Sequence, residues 1–365
     1  MTQLHPGTTT VPDPAGARVE ADLALAEDRL GRFFSEREGL AGKYGSDYAR
    51  LWQSARDAAD GGKRIRPRLL LTAHRALAGT ATDDAVTLAV AYELLHTAFL
   101  LHDDVIDGDT VRRGRPNLPG AFAAAARADG APGPRARLWG ESAAILAGDL
   151  LLHAAASLTA TVEASSAVRA RLIAILDEAV FVTAAGELSD VAFSAGLHRP
   201  ELRDVLAMTE HKTAAYSVGA PLRAGAVLAG AGPGVEAVLG EYGRLVGVAF
   251  QLGDDLLGVF GQEDVTGKSV VSDLRQGKET SLIAFARRTS VWPAIAPILG
   301  REDLGAGDAD RLARTLEDCG ARGFVERLLA EHVEAAEAVL DDPELPGSLV
   351  AELSAVARSC IGRLS

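Results

Sequence analysis

Between His96 and Pro116 the chain reads HTAFLLHDDVIDGDTVRRGRP, an apolar helix pattern that runs straight into Asp103, Asp104 and Asp107 and then into Arg112 and Arg113. Asp103 and Asp107 are four residues apart, so on a helix their carboxylates stand one turn above the other on one face, with Cβ atoms about 5–6 Å apart. Carboxylates held that close at the end of a buried helix are tolerable when protonated, paired or bridged by a cation, and hard divalent ions prefer such oxygen ligands. A solvated acidic helix end would give the same local pattern. The second acidic site decides between them. At Phe250 to Gly258 the chain reads FQLGDDLLG, so Gln251, Asp254 and Asp255 close another long apolar run. Basic residues beside glycines follow each site: Arg112 and Arg113 before Gly114, Lys268 after Gly267, Lys278 after Gly277. Metals gripped by carboxylates on one side keep open positions for phosphate oxygens on the other, so the ligand expected here is a diphosphate.

A separate anion pocket is expected at GGKRIRP, Gly61 to Pro67. Its glycines let backbone approach a ligand closely, and two cations at a spacing of three can grip one phosphate group. Lys63, Arg64 and Arg66 are the cations; a solvated basic turn is the alternative. Lys212 and Thr213 lie in a helix pattern that breaks near Gly219 to Pro221; they either reach a phosphate or are ordinary helix residues without a role. Glu187 and Asp190 are polar intrusions in the helix pattern Arg169 to Ala195; they face either a water-filled cavity or a satisfied core contact. GAGPG at Gly230 to Gly234 follows no strand, and Pro233 fits an interhelical turn, which excludes a nucleotide loop.

The elements that must position these groups are helices. The 365 residues are 48% hydrophobic but only 5% aromatic, so Ala, Leu and Val fill the core, and no stretch alternates as strands do. The expected fold is all-α. Ala17 to Asp60 reads as an outer amphipathic helix pair, 117–141 as a surface loop with a partial helix, and 261–277 as a polar flap able to close over a bound diphosphate. Residues 1–16 read as a disordered tail without a secretory apolar core, leaving 17–365 as one domain. A formal charge of −13 argues against nucleic acid or an anionic membrane as the main partner. Ala85 to Leu101 is apolar, but Glu93 and His96 interrupt it, so a buried core helix is expected rather than a membrane span. With two cysteines, too few for a disulfide framework, the expected compartment is the cytoplasm.

Taken together, GGKRIRP, HTAFLLHDDVIDGDTVRRG, HKT, FQLGDD and the two later Gly-Lys pairs resemble the trans-isoprenyl diphosphate synthases, the polyprenyl synthetase family, over roughly residues 20–360. The resemblance implies about ten or more helices around a central cavity and a homodimer. It places magnesium ions, three of them with manganese as a substitute, on Asp103 and Asp107 on one side and Asp254 on the other, with Asp104 and Asp255 of the same motifs as further metal residues. It implies an allylic diphosphate held with Arg112, Lys212, Thr213, Gln251, Lys268 and Lys278, and isopentenyl diphosphate on Lys63, Arg66, His96 and Arg113. The reaction implied is ionisation of the allylic diphosphate and addition of one trans prenyl unit.

One departure matters. Gly258 stands where many family members carry a third aspartate in the second motif, which leaves that side with fewer ligands; Asp264 and Asp273 are conceivable substitutes. Phe99 lies one turn deeper than Asp103 on the same face. In relatives, bulk at the positions of Phe99 and Ala98 stops chain growth, so one aromatic and one small residue imply a short product, geranylgeranyl before farnesyl, with Tyr92 as a floor two turns down. A terpene cyclase-like lyase is the main competing reading, but it needs no second diphosphate pocket. A non-catalytic subunit would have lost the acids, and a di-iron bundle needs a second ExxH beside that of Glu93 and His96.

Overall fold

The computed structural model describes residues 14–261, 274–301 and 303–362. An outer pair, α1 (Pro14–Ala41) and α2 (Ser46–Ala59), precedes α3 (Ile65–Ala76) and α4 (Thr82–Ile106). A hairpin of β1 (Val111–Arg112) and β2 (Arg115–Pro116) follows, then α5 (Leu118–Ala128), α6 (Gly133–Ala160), α7 (Ser166–Ser194) and α8 (Leu202–Thr209). A π-helical segment, Glu210–Gly219, runs without a break into α9 (Ala220–Leu228) and is followed by α10 (Pro233–Phe260). The chain ends in α11 (Ser281–Ala286), α12 (Trp292–Ile295), α13 (Ala306–Asp318), α14 (Ala321–Val339) and α15 (Gly347–Gly362). The all-α expectation holds, with that two-residue hairpin as the exception among the described residues.

Helix α4 is the axis of one core cluster and α10 of the other. Every residue of α4 from Leu88 to Leu95 is buried, which no amphipathic surface helix allows. Thr82–Ile106 is long and apolar enough to cross a bilayer, as is Gly133–Ala160, but the most apolar window of the former is 72% buried inside the bundle. Asp83 and Asp84 occupy its first turn, where negative charge suits the helix dipole. At the other end Asp103 and Asp107 oppose that dipole, so α4 finishes in a cluster that demands cations.

Three expectations need correction. Residues 117–141 are mostly helix, because Asn117 caps α5 by accepting from the Gly120 N–H at 3.0 Å and Pro119 sits in the first turn; only 129–132 separates α5 from α6. The first helix begins at Pro14, before Ala17. No break separates Lys212 from Pro221, since the π-helical segment passes into α9 through Gly219 and Ala220, both in right-handed helical conformation.

Candidate active site

The two acidic stretches open on one hollow. A cavity of about 880 Å³ is lined by Asp103 from α4, by Gln251, Asp254 and Asp255 from α10, and by Lys212 and Thr213 from the π-helical segment. Lys63, Arg66, His96, Arg112, Arg113 and Lys278 also line it, and Phe99 and Leu100 lie below Asp103 on α4.

On the α4 wall each carboxylate already has a cation. Lys212 Nζ lies 3.4 Å from Asp103 Oδ1, and Lys278 Nζ donates to Asp107 Oδ2 at 2.7 Å. Burial alone would raise the Asp103 carboxyl, but Lys212, Lys278 and Arg112 together hold it below the usual carboxylate range. Asp104 faces elsewhere. It is 3% exposed, its Oδ1 accepts from Arg112 Nε at 2.9 Å and Nη2 at 2.6 Å, and burial holds its carboxyl up despite those bonds. It fixes Arg112, which leaves Asp103 as the carboxylate of that pair on the cavity. Asp107 is absent from the lining and stands beside it through Lys278.

The opposite wall depends on the π-helical segment. Glycines let its neighbours approach closely: a Cβ on Gly186 of α7 would meet Lys212 N at 2.2 Å, and one on Gly247 of α10 would meet Ala214 Cβ at 2.3 Å. Single π turns inside α-helices recur at functional sites, and this π-helical segment is longer, ten residues. Here Lys212 Nζ reaches Asp190 Oδ2 at 2.6 Å and Glu187 Oε2 at 3.0 Å as well as Asp103. Burial disfavours its charge, yet Asp103, Asp190 and Glu187 overcome this and raise the ammonium above the ordinary lysine range. Glu187 is itself pushed up, by burial first, with Asp103 and Asp190 adding to it against Lys212. Thr213 Oγ1 donates to Gln251 Oε1 at 3.1 Å, and Gln251 Nε2 donates to Asp255 Oδ1 at 3.0 Å. Asp255 is 8% exposed, so Asp254 is the more open carboxylate of its pair.

The third group is cationic. Arg66 Nη2 donates to Ser217 Oγ at 2.6 Å and Tyr216 Oη at 3.1 Å, with its guanidinium over the Tyr216 ring at 4.7 Å. His96 Nδ1 is 3.4 Å from Tyr216 Oη. Burial, then Arg66, Arg112 and Arg113, depress its pKa well below the ordinary histidine value, so the imidazole is neutral at pH 7. Arg113 Nη1 donates to the Asp60 carbonyl at 2.9 Å. Arg113 and Gly114 both have positive φ, at 53° and 72°, the pair that a tight hairpin turn requires.

Two residues expected to measure product length fall outside the lining. Ala98 is fully buried against the helix packing, and Tyr92, also fully buried, lies in the core rather than on the cavity. Phe99 does line the cavity, edge-on to Tyr216 with ring centroids 4.9 Å apart. Sequence reasoning missed Tyr216, Ser217 and Thr183 as cavity residues; in a helical pattern each reads as ordinary core. Lys268, Asp264, Asp273 and most of the flap segment lie outside the described residues.

The Polyprenyl synthetase family model matches residues 49–313. A geranylfarnesyl diphosphate synthase of Aeropyrum pernix is 36% identical over 284 residues, covering 77% of this chain and 83% of the relative. A geranylgeranyl diphosphate synthase of Methanosarcina mazei is 33% identical over 293 residues, covering 80% and 83%. Among solved structures, a geranylgeranyl pyrophosphate synthase from Corynebacterium glutamicum, complexed with isoprenyl diphosphate and magnesium, superposes with a TM-score of 0.87 at 30% identity, covering 94% of this chain and 99% of that one. The chain belongs to the polyprenyl synthetase family. It is a prenyltransferase.

Proposed function

We propose that this enzyme condenses isopentenyl diphosphate with an allylic diphosphate, with geranylgeranyl diphosphate as the principal product and farnesyl diphosphate as the alternative. One observation carries the reading: two acidic walls and a separate cluster of Lys63, Arg66, His96 and Arg113 face a single cavity with an apolar lower wall. Two diphosphates with different counter-charges fit there.

Asp103, Asp107 and Asp254 are the residues that would hold magnesium, and the donor set suits it. Among the described residues no three acidic, histidine or cysteine side chains converge tightly enough to form a complete ion site. Carboxylate oxygens are the hard donors that magnesium takes one or two at a time, completing its shell with substrate phosphate and water. The ammonium groups of Lys212 and Lys278, seated on Asp103 and Asp107, mark where positive charge is wanted. Magnesium, three ions in this reading with manganese as a substitute, supplies charge stabilisation for a departing diphosphate.

The chain's own residues do the rest. Lys212, Arg112 and Lys278 neutralise the leaving diphosphate as the allylic carbon–oxygen bond breaks. Phe99 and Leu100 exclude water from the resulting allylic cation. Lys63, Arg66 and Arg113 hold the second diphosphate by direct charge, while neutral His96 donates a hydrogen bond. The double bond of isopentenyl diphosphate then forms the new carbon–carbon bond, and a proton leaves the adjacent carbon to the released diphosphate. A cyclase-like lyase would have no use for the second pocket. Incubation with labelled isopentenyl diphosphate, each allylic diphosphate and magnesium separates the two: label enters a longer allylic product under this reading and remains unconsumed under the other.

The homodimer and a cytoplasmic setting belong to the same proposal. Ile145 and Leu146 on α6 and Phe181 on α7 stand 45%, 56% and 77% exposed, an apolar surface that a second copy would cover.

A further inference from the structure

The turn that carries the cations is held by a residue that touches the cavity but whose guanidinium is engaged by carboxylates of two neighbouring helices. Arg64 lies between Lys63 and Arg66 in the left-handed region, φ 49° and ψ 41°, a conformation disfavoured for any side-chain-bearing residue unless its surroundings over-determine it. Three helices do so. Its Nη1 donates to Glu93 Oε1 on α4 at 2.6 Å and to the Ala59 carbonyl at the end of α2 at 2.7 Å, while Nε and Nη2 both reach the Glu27 carboxylate on α1. The Arg64 and Glu93 side chains are only 13% and 8% exposed. His96 follows Glu93 by one turn on α4, and the Arg113 guanidinium rests on the same turn, 3.2 Å from where a Cβ on Gly61 or Gly62 would stand.

We propose that Arg64 is a positioning residue: its ion pair with Glu93 registers the Gly61–Arg66 turn on α4 so that Lys63, Arg66, Arg113 and His96 converge on one diphosphate. The inference rests on the reading of that cluster as the isopentenyl diphosphate pocket. Removing one partner of a buried ion pair leaves the other as an uncompensated buried charge, so the turn and α4 are held in the register that keeps Arg64 and Glu93 together. The helix that bears the metal-side carboxylate therefore also sets the metal-free pocket.

Arg64→Gly tests this, because glycine keeps the left-handed backbone and removes only the strut. Arg68→Ala is the control; Arg68 pairs with Glu20 of α1 from the next turn of chain, and its side chain is 44% exposed. Arg64→Gly is expected to weaken metal-free binding of isopentenyl diphosphate, read by calorimetry, and to raise its KM by about tenfold to a hundredfold. The allylic KM and kcat stay within about twofold, Glu93→Gln moves the same KM in the same direction, and Arg68→Ala moves neither. Unchanged binding in Arg64→Gly, or an equal rise in both KM values, overturns the strut. A wild-type protein that ionises allylic diphosphates yet consumes no isopentenyl diphosphate refutes the pocket's assignment instead. Inorganic pyrophosphate then serves as the probe, and equal binding by wild type and Arg64→Gly overturns the strut there too.

Discussion

Asp103 and its neighbour Asp104 differ by one position and by everything that surrounds them. Asp103 looks into the cavity with Lys212 for company, whereas Asp104 is spent on Arg112. In the proposed reaction Asp103 faces the departing diphosphate, so Asp103→Asn should lower kcat by about 10²–10³-fold in a saturating two-substrate assay. Asp104→Asn acts only by loosening Arg112 and should cost distinctly less in the same assay. Phe99 is the other residue with a separable role. With Ala98 and Tyr92 both off the lining, Phe99 is the residue of the three that meets the cavity, edge-on to Tyr216. Phe99→Ala should therefore lengthen the product sized after hydrolysis; unchanged product would take Phe99 out of the measuring role.

At the scale of elements, the π-helical segment and the glycines pressed against it decide where Lys212 points. A Cβ on Gly247 would overlap Ala214, so Gly247→Ala should destabilise the fold by about 1–3 kcal/mol and raise the allylic KM through displaced Lys212 and Thr213, measurable by thermal melting and steady-state kinetics together. Nothing in the sequence announced that segment. A ten-residue π-helical segment is too short for its wider period to stand out from an α-helical one, and Tyr216 and Ser217 occupy positions that an α-helical pattern assigns to core. The acidic helix ends were legible because charge at the end of an apolar run needs a partner, whatever the exact packing. The floor of the cavity was not. Spacing along α4 gives the direction of Tyr92 but not the depth at which neighbouring helices close over it, and from Leu88 to Leu95 they close on all sides.

For the whole molecule, the all-α class followed from a chain rich in small aliphatic residues with no alternating stretch, and the hairpin at Val111–Pro116 is too short to have left a signal. Assembly is a separate matter. The exposed apolar residues of α6 and α7 predict that Leu146→Glu combined with Phe181→Glu converts a dimer to a monomer in light scattering. A wild type already monomeric at micromolar concentration would contradict that.

The most direct measurement is calorimetric binding of an unreactive allylic thiolodiphosphate with and without magnesium, in wild type, Asp103→Asn and Asp254→Asn. If both acidic walls grip one diphosphate through divalent ions, magnesium should tighten binding by at least about tenfold, and either substitution should abolish that gain. Isopentenyl diphosphate, seated on cations, should bind equally well without the metal. Allylic binding that ignores magnesium, or an Asp254→Asn variant that keeps the full gain, would contradict the account.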